Sequence, residues 1–254
     1  MKRILIIALL LIAAGYFAIC GLLFFYQRSF LYFPTPELKM SGSTSFSLTN
    51  EGETIKIWTR TVESSDAIIY FGGNAEDVSN GFLRFSALLP NQNLYFVNYR
   101  GYGGSTGTPS EAALFSDALA VYDSIREKHQ NISVIGRSIG SGVAAYLAAT
   151  RKVEKLVLVT PYDTIENVAK KRFPIFPVSL ILQDKFDSAS RAPTIEAKIL
   201  MIVAEVDEVI PRANSDALAA RFQSHRLIEK VIQGTNHNSI GMSPEYLDLV
   251  VGFL

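Results

Sequence analysis

The stretch "SVIGRSIGSG", residues 133–142, decides how this chain reads. It sets Ser138 just behind a β-branched run, with Gly136 and Gly140 two positions to either side and a small-residue helical pattern after it. Three local structures put a serine there. One is a helix N-cap, and another is a glycine-rich phosphate cradle. The third is a hydroxyl raised on a tight strand-to-helix turn, which leaves no room for side chains two positions away and aims backbone N–H groups at the oxygen.

The cradle fits poorly. "GSGVAA", residues 140–145, matches G-x-G-x-x-A, but Arg137, Ser138 and Ile139 intervene where a dinucleotide site needs its first glycine at the strand end. "GYGGSTG", residues 101–107, lacks a Walker lysine and has threonine where the third fingerprint glycine belongs. A raised nucleophilic serine needs a histidine after the last strand, an acid after a later strand and an oxyanion loop after an early one. His237 stands in the polar loop "QGTNHNSIG" after the strand pattern "LIEKVI". His129 in "REKHQN" and His225 in "QSHRL" read as surface residues. Asp207 follows the buried strand pattern "KILMIV" in a turn closed by Pro211, which leaves Glu205 and Glu208 facing solvent. Asp163, in "TPYDT" after the preceding strand, is the alternative acid. "FGGNAED" follows "AIIYF", and its glycines permit the N–H of Asn74 to pair with that of Ile139 around a developing negative charge.

Around these motifs, "TIKIWTRT" alternates as a half-buried antiparallel strand does, whereas "AIIYF", "NLYFVNY", "ISVIG", "KLVLVT" and "KILMIV" suit strands covered on both faces. Helical patterns occupy residues 75–89, 110–128, 139–150, 215–223 and 244–253, so the expected class is α/β, a mostly parallel sheet with helices on both faces. With 254 residues, 48% hydrophobic and 19% charged, the chain can bury one large core. The 24 basic and 24 acidic side chains balance, so no net field draws it to nucleic acid. A single cysteine, Cys20, excludes an internal disulfide and a cysteine metal cluster.

Residues 1–28 read as an N-terminal membrane anchor. Ile4 to Tyr26 are uncharged behind Lys2 and Arg3, and a helix of that length covers about 34 Å, enough to cross a hydrocarbon core. An uncleaved signal anchor fits better than a cleaved signal, whose apolar region is shorter. Lipidation at Cys20 is a third reading, against which stands the "FAI" before it. The positive charge ahead of the span outweighs Arg28 behind it, which predicts a cytoplasmic N-terminus with residues 29–254 outside the cytoplasm, on the periplasmic side in a bacterium. Pro34, Pro36 and a Gly/Ser cluster form a short connector.

With "FLYFPTP", "YFGGNAED", "NYRGYGGSTGTPSE", "GRSIGSG", "VDEVIP" and "NHN" in this order, the chain from about residue 25 to its end resembles the α/β-hydrolases. Within them it is similar to the lid-poor, membrane-associated serine hydrolases related to the bud-emergence suppressor and the protein depalmitoylases. The resemblance implies an α/β-hydrolase fold with a short cap at about 161–195. It implies Ser138 as nucleophile, Asp207 as acid and His237 as base, acting on a small-molecule or lipid-like ester or thioester without metal or cofactor. Amide or peptide cleavage shares this machinery. A catalytically silent binding protein on the same fold is the other reading, hinted at by two departures: Gly72 stands where relatives usually have histidine, and Asn98 where they have aspartate. The aromatic and proline cluster "RFPIFP" walls an acyl pocket, leans on the membrane or simply packs the lid.

Overall fold

The computed structural model describes residues 1–38 and 44–254. Its elements in chain order are α1 (Lys2–Leu31), β1 (Thr44–Asn50), β2 (Glu53–Arg60), β3 (Asp66–Phe71), α2 (Val78–Leu88), β4 (Asn93–Val97), α3 (Glu111–Ile125), β5 (Asn131–Arg137) and α4 (Ile139–Thr150). There follow β6 (Lys155–Val159), α5 (Ile165–Arg172), α6 (Val178–Ile181), α7 (Ser188–Arg191), β7 (Lys198–Ala204), α8 (Arg212–Ala219), β8 (Leu227–Ile232) and α9 (Pro244–Phe253).

The strands form one sheet in the order β1-β2-β4-β3-β5-β6-β7-β8. β1, β2 and β4 pair antiparallel, and every pair from β4 to β8 is parallel. This is the α/β-hydrolase arrangement. Strands that are apolar after their first residue, such as β4 and β6, lie covered on both faces by separate clusters of buried side chains. The chain turns from β3 to β4 on one side and to β5 on the other, so the crevice at the C-terminal end of β3 is a topological switch point, the usual ligand position in such sheets. Register brings the loops there together: Phe71 pairs with Gly136, Arg137 with Val159, and Ala204 with Ile232.

Boundaries move for local reasons. α2 starts at Val78 because the Asp77 carboxylate accepts the Ser79 N–H, leaving residues 75–77 to the loop. α8 starts at Arg212, behind Pro211, rather than at Ser215. α3 ends at Ile125, and the following turn folds back so that His129 is buried, its Nε2 bonded to the Tyr95 hydroxyl at 2.8 Å. That corrects the surface reading of His129; burial holds its pKa below the ordinary histidine value. His225 is exposed, as read. β1 had no counterpart among the strand patterns: "TSFSLTN" is polar and mostly exposed, and it exists by pairing with β2. Residues 41–43, the Gly/Ser part of the connector, lie outside the described residues.

The two departures have structural causes. A Cβ at Gly72 would sit 2.6 Å from Val78 Cγ1, so the start of α2 packs where a side chain would be. Asn98 is buried and donates both its backbone N–H (3.0 Å) and its amide Nδ2 (3.1 Å) to the Lys56 carbonyl. An ionised aspartate has no proton for that bond. Asn98→Asp is therefore expected to cost about 2 kcal/mol or more, roughly 4–8 °C in Tm at neutral pH. Burial raises the introduced acid's folded pKa, so the deficit should shrink as pH falls and the acid becomes neutral. Thermal unfolding of both proteins across pH 4–8 checks this.

Candidate active site

Ser138 occupies the turn between β5 and α4 with φ 51° and ψ −119°, a left-handed backbone rarely held by a residue with a side chain. Three contacts over-determine it: Ser138 N–H donates to Val159 O at 2.9 Å, and Ser138 O accepts from Ser141 N–H at 2.9 Å and Ser141 Oγ at 2.6 Å. The glycines of the motif are needed for approach. A Cβ at Gly136 would lie 2.3 Å from Gly140 O, and one at Gly140 would lie 2.2 Å from Phe71 O. α4 is thus pressed directly onto β3 and β5. A Cβ at Gly142 would meet the Tyr162 hydroxyl at 2.5 Å, so the motif's second half is filled by protein and has no space for a nucleotide.

Although Ser138 precedes α4, its side chain makes no cap bond. Its Oγ lies 3.0 Å from His237 Nε2. On the other side of the ring, Nδ1 lies 2.8 Å and 3.0 Å from the two carboxylate oxygens of Asp207. A carboxylate only accepts, so Nδ1 carries the proton and Nε2 is left free to accept from the serine hydroxyl. Ser138, His237 and the Asp207 side chain are all buried. The Asp207 Oδ1 also accepts the N–H groups of Val209 (2.9 Å) and Ile210 (2.7 Å), which orient the acid. Asp163 is elsewhere: its carboxylate accepts from Asn214 Nδ2 (2.7 Å) and Asn167 Nδ2 (2.6 Å), and it bonds structure rather than the histidine.

Asn74 and Ile139 line the same cavity as Ser138, of about 400 Å³. The Asn74 side chain is fully engaged: Oδ1 accepts from Phe33 N–H and the Tyr102 hydroxyl (both 2.9 Å), and Nδ2 donates to Leu31 O at 2.6 Å. The end of α1 is thereby stitched to the loop after β3. A second tie joins that loop to the serine and histidine loops. Glu76 accepts from Gly73 N–H (2.8 Å), the Tyr70 hydroxyl (2.6 Å) and Arg137 Nη1 (2.8 Å), and Arg137 Nη2 donates to His237 O at 3.2 Å. Burial opposes the Arg137 charge, but Glu76 outweighs it and holds the pKa above the ordinary value. Sequence reasoning passed over Glu76 and Arg137; the signal was an acid in "GGNAED" and a base in "GRS", each inside a motif already singled out.

A row of acceptor, imidazole and hydroxyl, beside a helix N-terminus, can activate a serine for acyl transfer. A family model described as "Serine hydrolase (FSH1)" matches residues 87–237. The chain belongs to that serine hydrolase family. It is 26% identical over 272 residues to protein bem46 of Schizosaccharomyces pombe, covering 92% of this chain and 87% of that one. It is 28% identical over 195 residues to the human alpha/beta hydrolase domain-containing protein 17B, covering 74% of this chain and 65% of that protein. A solved esterase of Pyrococcus furiosus shares the fold at a TM-score of 0.68 and 17% identity, over 87% of this chain and 98% of the other.

Because Gly136 faces backbone and the Ala144 methyl (2.6 Å), nothing flexible can yield to a Cβ there. Gly136→Ala is expected to lose a few kcal/mol, about 5 °C or more in Tm, or to accumulate as insoluble protein. Thermal unfolding beside the parent, or the soluble fraction on expression, reads the result.

Proposed function

We propose that this chain is a membrane-anchored serine hydrolase that cleaves a carboxylic ester or thioester through Ser138, His237 and Asp207. The supporting observation is the unbroken hydrogen-bonded row from the Ser138 hydroxyl through the His237 ring to the Asp207 carboxylate. His237 Nε2 takes the hydroxyl proton as Ser138 Oγ attacks the acyl carbon, and Asp207 stabilises the imidazolium that results. The N–H groups of Asn74 and Ile139 receive the negative charge on the carbonyl oxygen. As the carbon–oxygen or carbon–sulfur bond breaks, His237 returns the proton to the departing alcohol or thiol. Water then repeats the sequence on the acyl-serine, releasing the acid and restoring the hydroxyl. No step calls for a metal or cofactor.

The domain reading has an anchor in residues 1–28, a hydrolase domain in 29–254 and a cap in the segment between β6 and β7, at about 161–195. Supporting the anchor, α1 is exposed and apolar enough to cross a bilayer. With Lys2 and Arg3 cytoplasmic, the hydrolase domain lies on the far side.

Two results are expected. Ser138→Ala abolishes turnover of activated esters, by up to about a millionfold, in protein with the parent Tm. Asp207→Asn loses roughly ten-thousandfold in kcat through the wrong imidazole tautomer, whereas Asp163→Asn loses less than about tenfold and acts mainly on stability. Steady-state kinetics on folded proteins rank them, and the reverse ranking would move the acid to Asp163. For topology, protease added to cells with an opened outer envelope should digest the domain while the inner bilayer is intact. Protection until that bilayer is lysed would invert the orientation.

A further inference from the structure

α1 is longer than a bilayer requires, and part of it is walled by the cap. Beside it lies an apolar groove of about 350 Å³ whose far end shares Phe30, Leu31, Ile165, Ala169 and Phe173 with the cavity at Ser138. Cavities of roughly 300–1,000 Å³ hold ligands of substantial size. The one polar residue lining the groove is Gln27, and its amide is used by backbone: Nε2 donates to Phe24 O (2.8 Å) and Ile181 O (2.9 Å), while Oε1 accepts from Gln183 N–H (2.7 Å). The wall left to a ligand is therefore hydrocarbon.

The groove's mouth lies at a depth where acyl chains are found. About 20 helical residues cross a core of about 30 Å, so a span begun at Ile4 reaches the outer border near Leu23. Ile19, at the mouth, is then about 6 Å inside that border, and Tyr16 about 10 Å inside. The cap reaches the same depth: the Phe176 ring stacks on Tyr16 at 6.0 Å, and the Tyr16 hydroxyl donates to Ile175 O at 2.8 Å. Lipid cannot satisfy a bare carbonyl, so a hydroxyl from the helix suits a cap tip dipped into the leaflet. Ile175 and Leu180 are largely exposed on that tip.

Resting on the hydrolase and anchor readings above, we propose that the groove between α1 and the cap is an acyl channel. The membrane helix itself forms one wall of the substrate site, and the substrates are long-chain esters or thioesters whose acyl chain passes from the outer leaflet to Ser138 without entering water. A longer chain partitions more strongly from water into the leaflet that feeds the groove, so kcat/KM should rise with chain length until the groove is full.

The test uses the full chain in phosphatidylcholine vesicles, with two readouts. In Ser138→Ala, a diazirine analogue of palmitate should crosslink to the inner faces of residues 19–31 and 165–182, and Ala169→Phe, which narrows the passage between the cavities, should reduce those crosslinks at least fivefold. In the protein with Ser138, the ratio of palmitate-ester to butyrate-ester kcat/KM should exceed ten and fall at least tenfold in Ala169→Phe; Leu23→Trp, at the mouth, should lower the same ratio. Crosslinks confined to the lipid-facing positions of residues 4–12, or a chain-length ratio unmoved by both substitutions, would overturn the channel. Groove crosslinks in a protein that hydrolyses no ester would support the acyl site and overturn the hydrolase reading alone.

Discussion

The backbone of Ser138 is the constraint on which the rest depends. A positive φ at a residue with a side chain costs on the order of 1–3 kcal/mol, and here it is held by bonds to Val159 and to Ser141 in the first turn of α4. Those bonds form only if α4 lies against β3 and β5 at backbone distance, which in turn requires that Gly136 and Gly140 have no side chains. Released from this turn, the hydroxyl would fall back to an ordinary N-cap. Held in it, the hydroxyl is turned away from the helix and toward His237.

The loops around Ser138 come from the ends of β3, β5, β7 and β8, and parallel register alone brings them to one edge. Polar side chains then fix them against each other. Glu76 and Arg137 link the loop after β3, the serine turn and the carbonyl of His237 in a single charged network. Asn74 and Tyr102 fasten the same loop to the exit of α1, while Arg28 and Tyr32 both bond Asp184 in the segment between β6 and β7. α1, which is long and apolar enough to cross a bilayer, is thus continuous with the walls of the cavity rather than tethered beside it.

Much of this was legible in the residues. Five of the six parallel strands are short β-branched or aromatic runs that only a doubly covered sheet can bury, and the order of loop, serine, acid and histidine over them put Ser138, Asp207 and His237 at one edge before any distance was known. What was not legible depended on partners far away in sequence. β1 is too polar to declare itself and exists through β2. His129 is hidden by a turn that its own neighbours do not encode, and its partner is Tyr95. Gly72 and Asn98 read as departures from a pattern, because the Val78 methyl and the Lys56 carbonyl that explain them come from other elements. At the α1–cap contact, "RFPIFP" marked one apolar side, but its partner Tyr16 lies more than a hundred residues away and local sequence does not name it.

The central claim is that Ser138 is an activated nucleophile. The most direct measurement is labelling of the detergent-solubilised full chain with a fluorophosphonate, followed by mass mapping of the modified peptide. The structure predicts one adduct, on Ser138, formed by folded protein and lost on heat denaturation. Folded protein that takes no label, or takes it on another residue, would contradict the account.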